Sequence, residues 1–67
     1  MIEIIVNGEK KSISDNINIK EMLQELGYTK KGFAIALNET FVAISSYETT
    51  TIQAGDSVEI LSPVQGG

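Results

Sequence analysis

Two glycines, Gly66-Gly67, close the chain, and they are the residues in it best suited to covalent chemistry. A carboxylate resists attack because its leaving group would be oxide. Joined to AMP it becomes an acyl adenylate, which a sulfur or nitrogen nucleophile can open. The reacting carbonyl must enter a narrow active site on another protein. Two residues without a Cβ leave that approach unhindered and permit backbone angles that other residues avoid. At an average Gly usage of about 7%, a Gly-Gly ending arises by chance in roughly one chain in 200, which favours function over a frayed end or a cloning scar. The free carboxylate of Gly67 is therefore expected to be the working group, with Gly66, Gln65 and Val64 read by a partner on the way to it.

The residue types that are missing define the other half of the chemistry. The chain has 67 residues and contains neither Cys nor His. It can form no thiolate, persulfide or redox pair, and it lacks the usual general base for a hydrolytic triad. A chain so equipped is expected to be no enzyme but the substrate of whatever protein activates its carboxylate. A net charge of −4, from nine acidic residues against five basic ones, argues against a nucleic-acid footprint and suits encounters with basic protein surfaces. No apolar run approaches a membrane span, and Met1-Ile2-Glu3 lacks a basic leader, so no membrane partner and a cytoplasmic location are expected.

The elements that must hold this ending in place can be read along the chain. Ile2, Ile4 and Val6 alternate with Glu3, Ile5 and Asn7, a strand with one face toward a core. Asn7-Gly8 signals a tight hairpin, and Lys10 to Ser14 returns as a second strand with Ile13 as its apolar contact. Asn18 and Glu21 have capping-box spacing, and Ile17 and Met22 stand where a hydrophobic staple would form. Ile19, Met22, Leu23 and Leu26 give the helix one apolar stripe, which Gly27 ends. After a turn around Lys30-Lys31-Gly32, Phe33 to Leu37 reads as a buried strand, and Phe41 to Ile44 pairs back after Asn38-Glu39-Thr40. Ser45 to Gln53 reads as irregular, anchored by Tyr47 and Ile52. Ala54-Gly55-Asp56 turns into a last strand, Ser57 to Leu61, and Pro63 stops regular pairing.

One domain is expected over residues 1–62, with residues 63–67 as a flexible tail. A helix laid across one face of a single mixed sheet buries both apolar faces most economically. The first and last strands form the central pair, parallel because a helical crossover separates them. That is an α+β, ubiquitin-like β-grasp fold with four to five strands. Alternation puts Leu61 on the sheet face that the helix leaves open, and Leu61, Val64 and Phe41 would there form an apolar docking patch, weighed against ordinary scattered surface hydrophobes.

Over its whole length the chain resembles the sulfur carrier protein family of bacterial thiamine biosynthesis. The resemblance rests on Ile4-Ile5-Val6-Asn7-Gly8-Glu9, on the helix from Ile19 to Leu26, and on Ala34-Ile35-Ala36-Leu37-Asn38-Glu39. It continues through Phe41-Val42 and Gly55-Asp56-Ser57-Val58-Glu59-Ile60 to Gly66-Gly67. It implies a cycle in which an E1-like adenylyltransferase uses ATP and Mg to adenylate Gly67. A sulfur donor protein then converts the adenylate to a thiocarboxylate, which gives its sulfur to thiazole synthase. No cofactor would be bound by the carrier itself. The small subunit of molybdopterin synthase, a protein-conjugating modifier and a β-grasp binding module with an inert tail are the alternatives.

Two departures stand out. Family members often carry Pro-Arg after the strand matching Phe41-Val42, and Trp three positions beyond that pair. Here Ala43-Ile44 and Tyr47 stand there, which leaves a partner contact through that Arg without its residue; Pro63 is also unusual. Other clusters read as structural. Glu21 and Glu25 lie four apart on a solvated helix face rather than forming an acid pair. Asp15 to Asn18 lacks calcium-loop spacing, and Lys10-Lys11 and Lys30-Lys31 are too sparse to bind phosphate.

Overall fold

The computed structural model describes residues 1–28 and 32–62. Its strands are β1 (Ile2–Val6), β2 (Glu9–Ile13), β3 (Ala34–Leu37), β4 (Thr40–Val42) and β5 (Ser57–Leu61), with a helix α1 (Ile19–Glu25) between β2 and β3. They form one sheet in the order β2-β1-β5-β3-β4. β5 lies in the middle, parallel to β1 and antiparallel to β3. This is the expected β-grasp, with the last strand inserted between the first strand and the strand that follows the helix.

Local chemistry sets each boundary. Asn7 and Gly8 both take positive φ, 50° and 85°, so a two-residue turn places Glu9 directly opposite Val6. Pairing in β2 therefore starts at Glu9, one residue before the expected Lys10. It ends at Ile13, because the Ser14 amide turns away to donate to the Glu25 carboxylate at 2.8 Å. The helix opens on the expected capping box: the Glu21 amide donates to Asn18 Oδ1 at 2.8 Å and the Asn18 amide to Glu21 Oε1 at 3.0 Å. At its other end Gly27, at φ 90°, lets the amide of Tyr28 reach the carbonyl of Leu23 at 2.8 Å and its own reach Gln24 at 3.2 Å. That closes a Schellman motif.

One strand is shorter than its sequence implies. Phe41 to Ile44 reads as a continuous strand, yet β4 stops at Val42 and Ile44 begins a short 3₁₀ turn, Ile44–Ser46. The Ser46 amide bonds the Ala43 carbonyl at 2.8 Å and that of Tyr47 bonds Ile44 at 3.1 Å. This turn leaves Ile44 exposed and swings Tyr47 into the core, where its hydroxyl donates to the Phe33 carbonyl at 3.0 Å. With its carbonyl so occupied, Phe33 precedes β3 rather than opening it.

The core lies between the sheet and the helix. Ile4, Val6, Ile13, Ile35, Val58 and Ile60 point into it from the strands, and Ile19 and Met22 meet them from α1. Tyr47 and Ile52 complete it from the long connection, and Ile17, Leu23 and Leu26 pack against its edge. That connection is tied to the helix start: Ile19 donates to Thr50 at 3.1 Å and Ile52 to Ile17 at 2.9 Å. Among the described residues no buried side-chain polar atom lacks a hydrogen-bond partner, and no helix is long and apolar enough to cross a membrane.

Candidate functional site

β5 delivers the chain to its last residues, so the site is built from the end of that strand and the sheet face beside it. Along β5, Val58 and Ile60 are buried while Ser57, Glu59 and Leu61 point to the face opposite the helix. Register then fixes their neighbours. Leu61 lies opposite Ala34, and Ala36 has Glu59 on one side and Phe41 on the other. Directly opposed side chains in a sheet stand about 5 Å apart, so these residues touch or nearly touch. The result is an apolar strip of Phe41, Ala34 and Leu61 that reaches the end of β5, with Ala36 buried between its neighbours on the same face. Phe41 is 70% exposed and Leu61 44%, large fractions for an aromatic and a leucine in one small sheet.

The remainder of that face is mixed. Ile5 sits beside Ser57 and is exposed, with Lys10 across from it on β2. Glu59 supplies an acidic group at the border of the apolar strip.

Of the site residues read from the sequence, Phe41 and Leu61 are thus brought onto one face. Gly67, Gly66, Gln65 and Val64 lie outside the described residues, as does Pro63. Ala34 and Ala36 were not singled out by sequence. Their small size inside a buried-looking run hides that they face outward, and only the alternation within β3 could have shown it. Glu21 and Glu25, read as a solvated face, have structural work: Glu21 closes the capping box, and Glu25 accepts from both the amide and hydroxyl of Ser14. Burial pushes the Tyr47 phenol above its ordinary value, with a backbone hydrogen bond to Ile35 pulling the other way; Tyr47 lies under the sheet and away from the open face.

The fold and its open sheet face define a ubiquitin-like β-grasp carrier. The ThiS family model matches residues 3–67, and the chain belongs to the ThiS family, the sulfur carriers of thiamine thiazole biosynthesis. It is 34% identical over 62 residues to the sulfur carrier protein ThiS of Thermus thermophilus, covering 92% of this chain and 95% of that one. It is 30% identical over 66 residues to a thiazole synthase of Paramagnetospirillum magneticum, covering 98% of this chain. The chain spans only 20% of the length of that synthase. Among solved structures, the crystal structure of a thiamine biosynthesis protein (ThiS) from Geobacter metallireducens superposes with a TM-score of 0.86 at 26% identity, covering 98% of this chain and all of the other.

Proposed function

We propose that sulfur travels on the terminal carbonyl of Gly67, and that residues 63–67 are the segment a partner enzyme threads into its active site. The Gly67 carboxylate attacks the α-phosphate of ATP within an adenylyltransferase, releasing pyrophosphate. Sulfur at the oxidation level of sulfide, brought by a donor protein, attacks the acyl carbon, and AMP leaves to give a thiocarboxylate. Thiazole synthase takes the sulfur in exchange for an oxygen from its substrate or from water, and the carboxylate returns to the cycle. All of this takes place in the cytoplasm, where those enzymes and ATP meet.

The observation that carries this reading is the family match through Gly67, over a chain with no Cys or His of its own. With no thiol to bear it, a transferable sulfur must ride on an activated carboxyl group, and the one that two residues without a Cβ leave unhindered is that of Gly67. Thiazole synthase as the recipient draws support from its Paramagnetospirillum namesake, which contains in one chain a segment 30% identical to this one. Phe41 and Leu61 are the docking residues in this proposal, because they form the exposed apolar strip next to the strand that leads to the terminus.

Growth tests the proposal. In a strain whose own carrier is deleted, the full chain should restore growth without added thiazole, and a chain lacking Gly67 should not. Equal growth with the shortened chain would remove Gly67 from the mechanism.

A further inference from the structure

Both neighbours of β5 end in an asparagine that leaves its strand at positive φ, Asn7 at 50° and Asn38 at 49°. Each side chain then turns back onto β5. The parallel ladder between β1 and β5 ends where the Asn7 amide donates to the Val58 carbonyl at 2.9 Å. Beyond that point the β1 chain has turned into the hairpin, and no strand backbone remains on that side of β5. Asn7 fills the next rung with its side chain: the Ile60 amide donates to Asn7 Oδ1 at 2.8 Å, and Asn7 Nδ2 donates to the Ile60 carbonyl at 3.2 Å. A carboxamide presents an N–H donor and a carbonyl acceptor side by side, so it can serve both groups of one residue in a ladder. Asn38 does similar work at the opposite end of the strand. Its own amide donates to Ser57 at 2.7 Å, and the Ser57 amide donates to Asn38 Oδ1 at 2.9 Å.

The two clamps differ in what they hold. Asn38 secures the entry to β5. Asn7 secures Ile60, one residue before the strand ends at Leu61 and two before Ser62, the last described residue. Without it the Ile60 amide and carbonyl would have no partner on the β1 side, and unpaired peptide groups at a buried residue cost free energy until water reaches them.

We propose that Asn7 is a positioning residue for sulfur loading: by pairing with Ile60 it fixes the end of β5, and so holds Leu61 in the arrangement a partner binds. The proposal rests on the carrier reading above. A looser strand end must be ordered again at each docking event, a cost that falls on binding rather than on the chemical step. Losing the pair of hydrogen bonds is therefore expected to raise KM for the carrier about five- to tenfold and to leave kcat within about twofold.

Glycine substitutions isolate the side chains, because glycine accepts the positive φ of both turns. Asn7→Gly and Asn38→Gly each remove one clamp and keep the hairpin geometry. The full-length wild type and both variants are charged with sulfur by the adenylyltransferase, ATP and sulfide, and KM and kcat are read for each. Amide hydrogen exchange is followed in the same proteins at Ile60 and Ser57. Asn7→Gly should lose protection at Ile60 and show the rise in KM alone. Asn38→Gly should lose protection at Ser57 and load like the wild type. Wild-type kinetics for Asn7→Gly, or an equal rise in KM for both variants, would overturn the positioning role. A wild-type chain that takes up no sulfur would instead refute the carrier reading on which the role depends.

Discussion

The hydroxyl of Tyr47 donates to the carbonyl of Phe33 across 3.0 Å, bonding the long connection after β4 to the residue just before β3. Tyr47 is 8% exposed, and burial pushes the phenol above its ordinary value of 10.0 more than a hydrogen bond from the Ile35 backbone lowers it. Tyr47→Phe should cost about 1 kcal/mol near neutral pH, since the Phe33 carbonyl loses its donor.

The same bond has a pH signature. Below pH 10.0 the phenol is protonated in both folded and unfolded chains, so its contribution is fully present. Above that value the unfolded chain releases the proton first, and the contribution of Tyr47 falls as pH rises. Urea unfolding of wild type and Tyr47→Phe should therefore show a stability gap that narrows above pH 10.0. A gap that stays constant would mean that the hydroxyl is not held in its neutral, donating form.

The helix start offers a coupled pair. Asn18→Ala removes an acceptor from the Glu21 amide and a further bond to the Glu48 carbonyl, and should cost about 1 kcal/mol. Glu21→Ala removes the reciprocal bond to the Asn18 amide. Because each side chain serves the other's backbone, the double variant should lose less than the sum of the two single losses. Strict additivity in denaturant unfolding would show that the two bonds act independently.

Two truncations on opposite faces of the sheet should separate stability from recognition. Ile4 is fully buried, and Ile4→Ala should cost about 2–5 kcal/mol, a large share of what so small a domain can muster. Phe41 is 70% exposed, and Phe41→Ala should change stability by no more than about 0.5 kcal/mol.

The exposed strip has its own readout. Phe41→Ser combined with Leu61→Ser should leave the unfolding midpoint nearly unchanged and weaken binding to the adenylyltransferase by about tenfold or more, as loss of apolar anchors does. Titration calorimetry with the purified partner decides it. Unchanged affinity would move the docking surface off this face.

Much of the fold was legible because local chemistry and tertiary structure agree. Asn7-Gly8 announces its turn, Asn18 and Glu21 announce the helix start, and alternation assigns Val58 and Ile60 to the core. The run Phe41-Val42-Ala43-Ile44 misleads, since it is as apolar as a strand. Its end at Val42 depends on where Tyr47 must go, and that is a demand of the core rather than of the run itself. The side-chain bonds from Asn7 to Ile60 and from Asn38 to Ser57 were also invisible, because each joins residues far apart in sequence through a backbone group that every residue carries. Of the candidate site, alternation in the sequence puts Leu61 on the open face, and the register places Leu61 and Phe41 on that face with β3 between them. The outward Ala34 and Ala36 between them emerged only from the strand pairing.

The claim that matters most is that sulfur resides on the carbonyl of Gly67, and intact mass with fragmentation tests it directly. The full chain is incubated with its adenylyltransferase, ATP and a sulfide source, then weighed and sequenced from its C-terminal end. The expected result is a gain equal to the mass of sulfur minus that of oxygen, confined to the Gly67 fragment and absent without ATP. A gain on any lysine, ligation to another protein, or no gain at all would contradict it.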